Sequence, residues 1–235
     1  MIKLLLIGLS LVFPIVVTAK VWTNAKGSSF RGNLISVSSN DVKIERLSDG
    51  KLFTIDRSQL SEADNNYLKE LILSEYKRSQ SLKRKTIPSF NQSDFRGGRS
   101  SCSPSSMMNF IVWWSTFYDA FHRGGNSKQN VAKIQRSLVN YSNSGSGGSS
   151  FKDIVDALEQ YFIKYVDGYA FAYEIIYYPE IPQLKYYTKG SNAVLMSNAW
   201  YELSGGRLKY IEGHATSLVD ASDEHLLFNT WGNQF

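Results

Sequence analysis

Short alternating runs of apolar and polar residues fill positions 20 to 60. Val21-Trp22-Thr23, Leu34-Ile35-Ser36-Val37, Val42 to Leu47 and Leu52 to Ile55 are separated by the turn formers Ser38-Ser39-Asn40-Asp41 and Ser48-Asp49-Gly50, a pattern that predicts strands. Asp-Gly between two alternating runs marks a hairpin. Strands this short and evenly spaced predict a small all-β barrel over 20–60. Ser61 with Asp64 three residues later reads as a capping box. It opens a helix whose apolar face carries Tyr67, Leu68, Leu71 and Ile72 and which runs into a basic linker ending at residue 86.

The texture changes at Ile87. A loop rich in Ser, Gly and Arg leads to Cys102, followed by Met107, Met108, Phe110 to Trp114, Phe117, Tyr118 and Phe121. That stretch is apolar on nearly every side, which predicts a central buried helix. Residues 127 to 141 form a second candidate helix. A third runs from Phe151 to about Tyr165, opened by a capping box of Ser150 and Asp153. Beyond Gly168 the runs Tyr169–Tyr178, Ala193–Trp200, Leu208–Ile211, Ala215–Val219 and Leu226–Phe228 predict strands. Helices followed by antiparallel strands give an α+β class. The expected organisation is thus a leader over 1–19, a barrel over 20–60, a helix and linker over 61–86, and an α+β domain over 87–235.

The leader is read from the first residues. Lys3, the apolar run Leu4 to Val17 and the small-residue triplet Val17-Thr18-Ala19 have the layout of a cleavable secretory signal peptide. The run is short for a membrane span of about 20 residues. The expectation is a secreted or periplasmic protein with no stable membrane span after cleavage. The chain has one cysteine, Cys102, so an exported form cannot close an internal disulfide. Net charge is +5, with much of the excess at Lys77, Arg78, Lys83, Arg84 and Lys85. A charge run between domains is expected to be a solvated linker. No nucleic-acid-binding motif is present.

Cys102 directly precedes the buried helix, with Pro104 in its first turn, where a missing N–H is tolerated. The positive end of a helix favours thiolate over thiol. A nucleophile needs a base, and there are three histidines. His122 is at the far end of the same apolar stretch, roughly 30 Å away at ~1.5 Å per residue. His225 follows Asp223 and Glu224 in a turn. His214 begins a strand in Gly213-His214-Ala215 and is the best candidate base. A hairpin turning near 221–224 places Asn229 opposite His214 or diagonal to it, within reach of one ring nitrogen, the orienting role of a third triad member.

These residues carry a resemblance. Ser101-Cys102-Ser103-Pro104, Gly213-His214-Ala215 and Asn229-Thr230-Trp231-Gly232 look like the papain-like cysteine peptidases, in the bacterial branch related to peptidases that cleave double-glycine leaders. Asn198-Ala199-Trp200-Tyr201 resembles a further segment of that branch. The resemblance covers roughly residues 87 to 232. It implies a Cys102–His214–Asn229 triad, with Gln92 as a side-chain donor to the oxyanion. Gln92 lies ten residues before Cys102, where the family spacing is about six, and Ser103 stands where the family usually has Gly.

Residues 20 to about 68 resemble a small Src-homology-3-like domain through Trp22-Thr23, Gly27, Phe30, Asp49-Gly50-Lys51, Leu60-Ser61, Asp64 and Tyr67-Leu68. Such domains bind peptides or act as adaptors. The expected function is peptide hydrolysis through a thioester, with a peptide or protein substrate, a possible peptide ligand for the N-terminal unit, and no metal, cofactor or nucleic acid. The alternatives are a non-catalytic peptide binder with a degenerate cleft and a cell-wall amidase or transpeptidase using the same triad.

Overall fold

The computed structural model describes residues 2–91, 101–121, 128–142, 149–230 and 233–234. The strands are β1 (Ile2–Val16), β2 (Lys20–Thr23), β3 (Ser29–Val37), β4 (Asp41–Arg46), β5 (Leu52–Asp56), β6 (Tyr169–Tyr177), β7 (Ala193–Ser204), β8 (Arg207–Ala221), β9 (Leu226–Thr230) and β10 (Asn233–Gln234). The helices are α1 (Glu62–Ser79), α2 (Cys102–Trp114), α3 (Lys128–Tyr141), α4 (Phe151–Tyr165) and α5 (Ile181–Tyr187). The class is α+β. One mostly antiparallel sheet runs β10-β9-β8-β7-β1-β6-β3-β4-β5, with β2 paired to β3.

The N-terminal strands form where the alternation placed them. β4 and β5 pair around Asp49-Gly50, with Gly50 at φ 67°, the left-handed conformation glycine adopts without steric cost. A 3-10 turn at Arg57–Gln59 brings the chain back to β2, where Ala25 N donates to Gln59 O (2.8 Å) and Ser61 N to Thr23 O (2.9 Å). β3 also pairs in parallel with β6 at Ser36 and Val37, which makes these strands one end of the large sheet.

The apolar segment expected as a leader occupies the middle of that sheet. β1 pairs with β6 from Gly8 to Val16 and with β7 from Ile2 to Val12. Val12 and Ile15 are fully buried. Val12 joins the core of α2, α3 and α4, while Ile15 and Val17 join the core of Trp22, Leu34, Ile44 and Leu68. No helix among the described residues is long and apolar enough to cross a membrane.

The helices pack as their patterns require. α4 starts on a complete capping box: Ser150 Oγ accepts from Asp153 N (3.1 Å) and Asp153 Oδ2 accepts from Ser150 N (2.8 Å). At α1 only half the box forms. Ser61 Oγ accepts from Asp64 N (3.2 Å), but the Asp64 carboxylate turns to Lys20 and to the Thr23 N–H instead. α2 is buried from Ser103 to Trp114 and ends there, earlier than the apolar run implies.

The basic linker departs from expectation. Lys77, Arg78 and Lys83 are exposed, but Arg84 is buried, its side chain donating to the carbonyls of Leu218, Val219, Gly190 and Asn192. Its guanidinium ties the linker to β8 and to the loop before β7, and burial pushes its pKa down to about 9. Two further differences concern β8, which merges two expected strands, and α5, a short helix with Pro182 in its first turn, where the residue pattern predicts no element.

Candidate functional site

Cys102 is the first residue of α2 and is partly exposed. Ser101 makes no capping bond to the helix's first turn. Pro104, the third helical residue, has no N–H, so the donors presented at this helix end are those of Cys102 and Ser103. The thiol therefore sits at the N-terminal end of a buried helix, where the helix dipole favours a negative charge such as an oxyanion placed beside it.

Contacts along α2 place this helix end relative to the sheet. Ser106 Oγ donates to Ala215 O (3.0 Å), Ser217 Oγ donates to Ser106 O (2.9 Å), and Asn109 Nδ2 donates to Ser217 Oγ (3.4 Å). Increasing residue number in α2 thus follows increasing number in β8. Cys102 lies one turn before Ser106 on the same side of the helix, so its turn overlies the start of β8's 213–217 segment, where His214 sits.

The side chain of His214 points away from α2. Ser217 faces α2, and the β7–β8 ladder runs without irregularity from the Ala199–Gly213 pair to the Leu195–Ser217 pair. Residues three apart on a regular strand project to opposite faces. His214 accordingly shares its face with Asn198, which pairs directly with it across the strands, and with Thr216. Its Nε2 is hydrogen-bonded to Thr230 Oγ1. The residue is 8% exposed, and burial lowers its pKa to about 4, which keeps it neutral at physiological pH.

Asn229 lies on the other face. The β8–β9 register pairs Ser217 with Asn229 and Leu218 with Phe228, which puts Asn229 neither opposite nor diagonal to His214 and corrects the hairpin geometry expected from the turn. A bulge at Val219 contributes to the offset. Asn229 Nδ2 donates to Ile87 O (2.9 Å) and Pro88 O (3.0 Å). Close by, Phe90 N donates to Asn109 Oδ1 (3.2 Å) and Ser89 Oγ to Asn233 O (2.8 Å). Asn229 and Asn109 thereby pin residues 87–90 between α2 and the β9–β10 edge. Gln92, the expected oxyanion donor, and His122 lie outside the described residues. His225 is exposed in the β8–β9 turn, its Nδ1 paired with Ser222 Oγ (2.9 Å).

The structure therefore brings Cys102 and Asn229 to one face of the sheet and His214 to the other. Sequence reasoning missed Thr230 and Asn198 as neighbours of the imidazole and Asn109 as an anchor of residues 87–90. Thr230 lies inside the Asn-Thr-Trp-Gly motif and Asn198 inside the Asn-Ala-Trp-Tyr segment, so both were visible as residues but without a role. Among the described residues no group of three or more His, Cys, Asp or Glu side chains is gathered as a metal site. A separate cavity of about 440 Å³ lies at the seam between α1, β3, β6 and α5, with Ile72, Tyr76, Tyr173, Tyr186 and Tyr187 in its walls. No family model, no curated protein and no solved structure matches the chain.

Proposed function

We propose that the chain is a papain-like cysteine peptidase that hydrolyses peptide bonds through Cys102. The observation that carries this reading is the partly exposed thiol at the first residue of a buried helix whose next turn is bonded, through Ser106, to Ala215, the chain neighbour of His214 in β8. In the proposed reaction His214 takes the thiol proton and the sulfur attacks a peptide carbonyl. The Cys102 N–H and Gln92 hold the oxyanion. His214 then protonates the leaving amine, and water cleaves the thioester.

Turnover on this reading needs the imidazole on α2's face. One additional bulged residue between His214 and Ser217 would turn it there, because a one-residue offset moves every side chain beyond it to the opposite face. β8 already carries two such irregularities, at Ile211 and at Val219. The test is hydrolysis of a mixed peptide library by the full chain, by Cys102→Ala and by His214→Ala. The reading expects cleavage by the parent alone. Equal cleavage by Cys102→Ala and the parent would end it.

The β8–β9 register favours a second reading, a non-catalytic peptide binder with a degenerate cleft. His214 is buried and bonded to Thr230, and Asn229 is engaged with Ile87 and Pro88. On this reading the peptide library is bound and left intact, and Cys102→Ala binds as the parent does. Export is part of the proposal only through the apolar run at residues 4–17. Cleavage after Ala19 would remove the strand that joins β6 to β7, so the fold described here and a cleaved, exported chain are alternatives.

A further inference from the structure

The cavity of about 440 Å³ at the seam between α1, β3, β6 and α5 has two kinds of wall. One is aromatic, made by Phe13, Tyr76, Tyr173, Tyr186 and Tyr187. Tyr76 and Tyr186 stack with ring centres 5.7 Å apart, and Tyr187 meets Tyr186 edge to face at 5.1 Å. All five residues keep part of their surface exposed. The other wall is cationic. Arg57 and Lys69 line this cavity and also a second hollow beside the start of α1, so they stand where the two meet. Arg57 Nε donates to Asn65 Oδ1 (3.3 Å) and Arg57 Nη1 to Ser38 O (3.2 Å), long bonds to neutral acceptors. A guanidinium carries more N–H donors than these bonds use. Among the described residues neither Arg57 nor Lys69 is in an ion pair. Glu174 lines the cavity but accepts from Tyr187 Oη (3.4 Å), and Glu62 lines only the second hollow.

We propose that this cavity binds a small aromatic carboxylate, its ring laid against the tyrosines and its carboxylate held by Arg57 and Lys69. The volume falls in the range of small-molecule sites. Aromatic walls hold a flat ring more firmly than its buried area alone accounts for. The planar fork of an arginine matches a carboxylate, and a lysine beside it adds a second positive charge. A neutral ligand leaves both cations without a counter-charge, and a cationic one is repelled by them. None of Cys102, His214 and Asn229 lines the cavity, so this site stands apart from the peptidase reading.

Isothermal titration of the full chain with cinnamate tests this, with cinnamamide, the neutral molecule of nearly the same shape, as the comparison. The parent is expected to bind cinnamate about tenfold or more tighter than cinnamamide, the worth of hydrogen bonds to a charged group. Arg57→Gln is expected to weaken cinnamate by about tenfold and leave the affinity for the amide as it was. Lys69→Gln changes an exposed side chain and is expected to weaken cinnamate by about twofold to fivefold, the range of an exposed ion pair. No saturable binding of cinnamate to the parent, or equal affinities for cinnamate and the amide, overturns the proposal, and neither result requires a variant to fold. A cinnamate affinity unchanged by Lys69→Gln, or by Arg57→Gln in a variant that keeps the parent's melting transition, overturns it equally.

Discussion

Two sets of polar residues in this molecule each include a nitrogen base, and only the first is gathered in one place. At the N-terminal end Lys20 Nζ is ion-paired with Asp64 and lies 4.6 Å from the ring centre of Trp22 and 4.2 Å from that of Tyr67. Asp64 also accepts the Thr23 N–H at 2.6 Å. Every member comes from β2 or the first turns of α1, and α1 is set against β2 by backbone bonds at Thr23 and Ala25. At the other end Cys102, His214 and Asn229 come from a helix and two strands far apart in sequence, and their convergence depends on whether the offset along β8 is odd or even. The lesson is about tolerance. A one-residue change in β2 shifts Lys20 within a short, tied segment, whereas a one-residue change in β8 moves an imidazole through the sheet.

The comparison is broken most severely by removing what both ends share. A chain beginning at Lys20 lacks β1, and with it Val12 from one core and Ile15 and Val17 from the other. The edges of β6 and β7 are then left unpaired. The expected loss exceeds about 5 kcal/mol, comparable to the whole stability of an ordinary domain, and circular dichroism and hydrogen exchange should find no cooperative unit. A cooperative melt from that shorter chain would show instead that β1 is dispensable, as a cleaved leader must be.

Arg84→Ala comes next. It strips the donors from four carbonyls and leaves a cavity against Phe110 and Trp113. Denaturant unfolding is expected to show a loss of about 3–5 kcal/mol, with early exchange of β8 amides.

Acid acts selectively on the β8 end. His214 has a folded pKa of about 4 against an ordinary 6.5, lowered by burial. Between those values the unfolded chain binds more protons. The contribution to stability is therefore complete above pH 6.5 and is lost as pH falls through 4. Its size is about 3 kcal/mol, and His214→Gln should flatten this part of the stability–pH curve in denaturant titrations. The smallest effect is expected at the N-terminal cluster. Lys20→Met keeps the packing stem on Trp22 and Tyr67 but takes the ammonium from the carboxylate of Asp64, 4% exposed, which keeps the Thr23 N–H as a donor. A cost of about 1–3 kcal/mol follows, visible as a lower melting temperature with the β8 amides still protected.

Much of this was readable in residue patterns, for local reasons. The Asp49-Gly50 hairpin, the Ser150–Asp153 cap and the one-sided apolar stripe of α4 are all set by residues within a few positions of each other. β1 was not readable, because a strand in the middle of a sheet and a leader's apolar core are both long, mostly apolar runs. Arg84 was hidden in a run of cations that includes the exposed Lys77 and Lys83. α5 is seven residues long, with too few turns to show a period. At the candidate site Cys102's place at the start of α2 followed from Pro104 and the apolar run behind it. The face of His214 did not follow from sequence, because the bulges at Ile211 and Val219 leave no mark in residue type.

The central claim is that Cys102 acts as a nucleophile assisted by His214, and alkylation kinetics test it most directly. The second-order rate of iodoacetamide with Cys102 should be measured from pH 5 to 9 in the full chain and in His214→Ala. The account predicts a rate at pH 6 at least about tenfold above that of glutathione, falling to the glutathione value in His214→Ala. A Cys102 that reacts no faster than glutathione at pH 6, with or without His214, contradicts it.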